Sequence, residues 1–259
     1  MNRRNFLTIG GGLAVSSMLP VPQSFGKQPS ARPHSIKAIL FDAFPIFDPA
    51  PVAGLAAQLF PEHSASLLNI WRTKQFEYTW LRSLTGRYLD FLSVTADALD
   101  YSAASLNMDV SAQQHRQLVD AYNELPAWPE VPAILGQLNA DGYRLGMLSN
   151  FTPGMLRNNV QYARLSHHFE HLLSVDTVRT YKPAARAYQL AMEEFRLPKE
   201  EILFVPFAGW DAAGAKSFGY LTFWVNRLGT PTDRLGIEPD GEGRNLNQLM
   251  DWLKSSHLR

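Results

Sequence analysis

The chain has 259 residues, 46% of them hydrophobic, enough for one full core and a smaller appended domain. Lysine plus arginine and aspartate plus glutamate both number 24, so the formal net charge is zero and no bulk field draws the protein to nucleic acid or an anionic membrane. There is no cysteine, which excludes disulfides, thiol catalysis and thiolate metal sites.

The chain opens on Arg3-Arg4-Asn5-Phe6-Leu7, runs through a weakly apolar stretch to Val15, and carries no further charge until Lys27. A basic start, a short apolar middle and a polar exit predict a signal peptide and linker over residues 1–30. The paired arginines point to the twin-arginine route and hence to the periplasm. The apolar stretch falls short of the roughly 20 residues of a membrane span, so no stable insertion is expected after cleavage.

Ile36, Ala38, Ile39, Leu40 and Phe41 then predict a buried strand that ends at a carboxylate, Asp42. Open α/β sheets place their ligands at such strand ends. From Pro51 to Tyr122 no strand is expected: Leu68, Trp71, Phe76, Trp80 and Leu84 recur about every four residues, the stripe of a long amphipathic helix. Helical spacing continues over Tyr88–Leu106 and Ala112–Leu125. The remainder alternates. Strands are expected at Tyr143–Leu148, Leu172–Val175, Ile202–Phe207 and Leu221–Val225, and helices at Ala133–Asn139, Pro153–Ala163, Pro183–Phe195 and Asp211–Phe218. Alternation predicts an α/β fold, a Rossmann-like parallel sheet with helices on both faces. The core spans residues 31–50 and 126–259, with an all-helical cap inserted at 51–125. Asp42, Ser149-Asn150 and Asp211 each stand just past a strand's carboxyl end, so their chemistry converges on one edge.

Five stretches together carry a resemblance: Phe41-Asp42-Ala43-Phe44, the run from Trp71 to Arg82, Leu148-Ser149-Asn150, Tyr181-Lys182-Pro183, and the run from Gly209 to Ala215. In order and spacing they resemble the L-2-haloacid dehalogenases of the haloacid dehalogenase superfamily, from about residue 36 to 250. The Trp71–Arg82 stretch lies in the cap, which ties the likeness to the dehalogenase branch. The resemblance implies a reaction without metal or cofactor. An aspartate displaces halide from a small 2-haloacid, and water then hydrolyses the aspartyl ester to a 2-hydroxy acid of inverted configuration.

By that resemblance Asp42 is the nucleophile, and Lys182 is the lysine that pairs with it and places it. Asp211 orients the hydrolytic water; it equally suits a helix cap, since it opens its predicted helix. Arg72 receives halide or carboxylate. Read alone, an arginine inside an apolar stripe either snorkels or meets an anion in a closed cleft. Asn150 and Phe91 match positions lining the leaving-halide pocket, although core packing alone accounts for a phenylalanine. Ser149 matches a residue that hydrogen-bonds the substrate carboxylate. Tyr188 belongs to the Lys182 network, Trp210 walls the pocket, and Phe44 faces the nucleophile where a phosphatase of this plan carries a second Asp. His167, His168 and His171 cluster, but they are read as surface residues and no metal site is expected there. The family is often dimeric, which leaves a homodimer open.

Four positions depart from the family. Pro45-Ile46 stand where a Gly-Thr pair follows the nucleophile, and Pro206 and Ala208 stand where Ser and Asn precede the tryptophan, with Phe207 between them. A lost preorganised donor costs about 100- to 1,000-fold in rate, so dehalogenation is expected to be weak or shifted in substrate. A superfamily phosphatase and a catalytically silent binding protein are the alternatives. Phe44 argues against the first, and the four replacements motivate the second.

Overall fold

A computed structural model describes residues 35–256; the expected export signal at 1–30 lies outside the described residues. Six strands form one sheet in the order β3-β2-β1-β4-β5-β6: β1 (Ala38–Phe41), β2 (Arg144–Ser149), β3 (His171–Ser174), β4 (Ile202–Val205), β5 (Leu221–Val225) and β6 (Gly241–Gly243). Every neighbouring pair is parallel. Central β1 reads Ala-Ile-Leu-Phe and is buried at all four residues, because helices cover both of its faces.

Between β1 and β2 the chain is helical, as the spacing predicts: α1 (Ala43–Ile46), α2 (Ala50–Leu59), α3 (Ser64–Leu84), α4 (Phe91–Ser105) and α5 (Ala112–Asp120). Asp90 caps α4 by accepting from the Ser93 N–H, and Ser111 with Gln114 forms a capping box on α5. The later helices are α6 (Val131–Ala140), α7 (Pro153–Tyr162), α8 (Ala185–Phe195), α9 (Gly209–Phe218) and α10 (Leu246–Ser255). Among the described residues no helix is long and apolar enough to cross a membrane.

Several details differ from the expectation. On α3 the buried line is Leu67, Trp71, Gln75 and Thr79, while Leu84 is 85% exposed. Two polar residues tolerate that burial because they are paired: Gln75 donates to the Thr95 hydroxyl at 2.8 Å, and the Thr79 hydroxyl donates to the Phe76 carbonyl at 2.7 Å. This frees Phe76 and Trp80 to face the core domain's Trp210. Strand β4 stops at Val205, two residues before the expected end, since Pro206 has no N–H to continue the ladder. Helix α9 starts at Gly209, so Asp211 is its third residue and not its cap. β6 and α10 were not expected: Gly-Glu-Gly carries no strand pattern, though Leu246, Leu249, Met250 and Leu253 do repeat at helical spacing.

Candidate active site

The site forms where β1, β2 and β4 end. Asp42 leaves β1 with its N–H bonded to the Val205 carbonyl at 3.1 Å. Lys182, just before α8, reaches under the sheet edge and is 1% exposed. Its Nζ donates to Asp42 Oδ1 at 2.9 Å, to Asp211 Oδ2 at 2.6 Å and to the Leu148 carbonyl at 3.2 Å. All three ammonium protons therefore have acceptors. The Tyr188 hydroxyl donates to Asp211 Oδ1 at 2.7 Å. Tyr188 thus joins the network through Asp211 and not through Lys182 directly.

Burial and charge oppose each other here. Burial pushes the Asp211 carboxyl up to about 6, and the Asp42 charge adds to that, while Lys182 and the Tyr188 hydroxyl pull the other way. For Lys182 burial alone would lower the ammonium, but the two carboxylates more than offset it and hold it protonated. One buried cation therefore bridges the Asp42 carboxylate and a second carboxylate, Asp211, that burial pushes up to about 6.

The other predicted residues surround a chamber of about 20 Å³ that Asp42 and Lys182 also line. Asn150 accepts from the Lys182 N–H at 3.3 Å through its side-chain oxygen. Ser149 accepts from the Phe151 N–H at 3.1 Å, a strand-end turn, and still lines the chamber. Phe44 and Phe91 both pack on Phe151, with ring centroids 5.5 Å apart in each pair. Arg72, from α3, lies with its guanidinium carbon 5.6, 5.3 and 5.7 Å from the ring centroids of Phe44, Phe76 and Phe207. It is half-buried and lines both the chamber and the open cavity beside it. Trp210 closes the rim against Phe76 and Trp80, and beyond it lies an open vestibule of about 290 Å³. All ten predicted residues are thus brought to one chamber or to the ion network beneath it.

Five residues that shape the site were not singled out from the sequence as site residues. Phe76 and Phe151 line the chamber, and both sit beside or within the quoted motifs. Phe207 lines it between the two replaced positions. Arg227 and Trp128 hold the turn after the nucleophile: the Arg227 Nη2 donates to the Pro45 carbonyl at 2.7 Å, and Trp128 Nε1 to the Phe44 carbonyl at 3.0 Å. Arg227 stacks over Trp128 at 4.3 Å and pairs with Glu130 at 2.7 Å. The one signal for Arg227 is its place two residues past the carboxyl end of β5.

Comparison with known proteins gives the same direction. Residues 36–219 match the family model for haloacid dehalogenase-like hydrolases. The chain is 40% identical over 222 residues to an (S)-2-haloacid dehalogenase of Pseudomonas sp. (strain YL), covering 85% of this chain and 96% of that one. It is 39% identical over 206 residues to a haloacetate dehalogenase of Moraxella sp. (strain B), covering 79% and 92%. A structure of the L-2-haloacid dehalogenase from Xanthobacter autotrophicus with chloropropionic acid covalently bound superposes with a TM-score of 0.78 at 32% identity, covering 85% of this chain and 98% of that chain.

Proposed function

The chain belongs to the haloacid dehalogenase-like hydrolases, and on that premise we propose that its site hydrolyses small 2-haloalkanoic acids to 2-hydroxy acids through an ester on Asp42. The protein is a hydrolase of carbon–halide bonds. The observation that carries the assignment is the Asp42–Lys182–Asp211 chain opening into an apolar chamber that Arg72 closes from the helical insert.

Lys182 engages Asp42 Oδ1, which leaves Oδ2 to attack the halogen-bearing carbon. The new carbon–oxygen bond forms as the carbon–halogen bond breaks, and the halide departs with the electron pair on the opposite face. The insert, residues 51–125, acts as a cap that brings Arg72 to this anion. Ringed by aromatic faces, its guanidinium is poorly hydrated and therefore a strong receiver of a soft anion. Asn150 and Phe91 line the halide's exit, and Ser149 engages the substrate carboxylate. Water then attacks the acyl carbon of the ester and passes one proton to Asp211; as the ester C–O bond breaks, Asp211 returns that proton to the departing alkoxide oxygen, and the remaining proton leaves Asp42 for solvent. The hydroxy acid leaves with inverted configuration and Asp42 is restored.

The four replacements divide between the two half-reactions. The Pro45-Ile46 turn is held from behind by Arg227 and Trp128, which supports an intact displacement step. Pro206 and Ala208 lie beside Asp211, and their absent side-chain donors weaken ester hydrolysis. The purified protein is expected to release halide from L-2-chloropropionate and bromoacetate in a burst of about one equivalent, then turn over slowly. Asp42→Asn is expected to abolish release. Steady turnover with no burst would contradict the division, and release that survives Asp42→Asn would sink the mechanism. Export rests on Arg3-Arg4; fractionation of cells producing the Arg3→Lys, Arg4→Lys variant tests it, with retention in the cytoplasm expected.

A further inference from the structure

The chamber at Asp42 and an apolar groove of about 310 Å³ on the far side of α2 and α3 share only two wall residues, Arg72 and Phe207. The groove is lined by Val52, Ala53, Leu68, Tyr122, Trp128 and Leu228 among others, and its surface is mostly apolar. The chamber is much the smaller of the two, whereas the groove has room for several methylene groups. Phe207 forms the partition between them together with Arg72.

Its position is fixed. The Phe207 carbonyl accepts from Trp224 Nε1 at 2.9 Å, and the preceding Pro206 carbonyl accepts from the Val225 N–H at 3.0 Å. Phe207 as a residue is 7% exposed, and its ring packs against Phe44 at 5.7 Å and lies under the Arg72 guanidinium. Backbone hydrogen bonds and packing of its ring against Phe44 hold Phe207 in this wall. Resting on the dehalogenase reading above, we infer that Phe207 determines substrate length. It confines the enzyme to 2-haloacids whose 2-substituent is hydrogen or methyl, by blocking the groove that would take a longer alkyl chain.

The test compares 2-bromopropionate with 2-bromohexanoate. Both carry bromine on a secondary carbon, so their intrinsic reactivity is similar and the ratio of kcat/KM reports the pocket. The wild-type protein is expected to favour bromopropionate at least 100-fold. Phe207→Ala keeps the backbone bond to Trp224 and is expected to narrow the ratio to tenfold or less by raising the bromohexanoate rate. Adding Ala53→Trp, which refills the groove from its exposed rim, is expected to remove that gain. Thermal melting checks that each variant is folded, and Phe207→Val replaces Phe207→Ala if the latter is not. Equal wild-type rates on the two acids, or a folded Phe207 variant with an unchanged ratio, would overturn the inference while leaving the dehalogenase reading in place. Wild-type protein that releases no more halide from bromoacetate than Asp42→Asn does would overturn that reading, and this inference with it.

Discussion

Asp211 is where single-residue chemistry is most exposed to test. A general base must be ionised to take a proton, and burial raises this carboxyl to about 6. Below that pH the group is protonated and ester hydrolysis stops; above it the base is available. The pH profile of kcat is therefore expected to fall about tenfold per unit on its acid side, with a midpoint near 6. Asp211→Asn should remove that limb and lower kcat by about 100- to 10,000-fold. A limb that persists in the variant would assign it to another group. Lys182 bears on stability as well as chemistry, because its buried ammonium touches two carboxylates at once. Lys182→Met leaves Asp211 without its ionic partner, with only the Tyr188 hydroxyl still bonded to it, and urea unfolding at pH 7 is expected to show a loss of about 3–5 kcal/mol. A loss under 1 kcal/mol would mean that Asp211 simply protonates in the variant.

At the scale of elements, the ion network depends on how closely two helices approach. A Cβ added at Gly214 of α9 would stand 2.6 Å from the Tyr188 hydroxyl oxygen and 2.6 Å from the Pro183 Cβ. No side chain fits there unless α8 shifts, and that shift would draw Tyr188 off Asp211. Gly214→Ala is expected to cost about 1–3 kcal/mol of stability and to raise the pH midpoint of kcat, since the Tyr188 hydrogen bond favours the ionised carboxylate. An unchanged midpoint with the same stability loss would limit Gly214 to packing. Helix α3 shows a related economy of position: one face inserts Trp71 into the insert's own core, where its Nε1 donates to the Thr95 carbonyl at 2.8 Å. The adjacent residue, Arg72, is thereby aimed at the sheet. The apolar stripe marks the helix, but the neighbouring helix α4 decides which of its two hydrophobic lines is buried.

Across the whole molecule the insert is tied down on the side facing β3. Tyr88 donates to Asp176 at 2.8 Å, the Tyr181 hydroxyl to the Leu89 carbonyl at 2.6 Å, and the Tyr181 N–H to the Ser83 hydroxyl at 3.0 Å. Tyr181 immediately precedes Lys182, so these ties link the position of the insert to that of the buried ammonium. Tyr181→Phe removes one tie, worth about 1 kcal/mol, and should raise KM about fivefold with kcat little changed. A loss confined to kcat would place Tyr181 in the chemistry and not in closure.

The order of strands and helices, the convergence of Asp42, Ser149, Asn150 and Asp211 on one sheet edge, and the helical insert are local properties. They follow from periodicity and from where apolar runs end, and the sequence by itself determined them. The resemblance carried by the motifs also pointed to Arg72 and Lys182, and the fold brings both to the chamber. Other features needed tertiary structure. Phe207 is a wall only because Phe44, 163 positions earlier in the chain, packs against its ring and Arg72 lies over it. Arg227 is a clamp only because the Pro45 carbonyl, 182 positions away, turns toward it. The titration of Asp211 likewise depends on burial beneath Lys182, and chamber size depends on how six aromatic side chains fill one space. Such properties are set by distances between remote segments, and those distances exist only once the sheet has assembled.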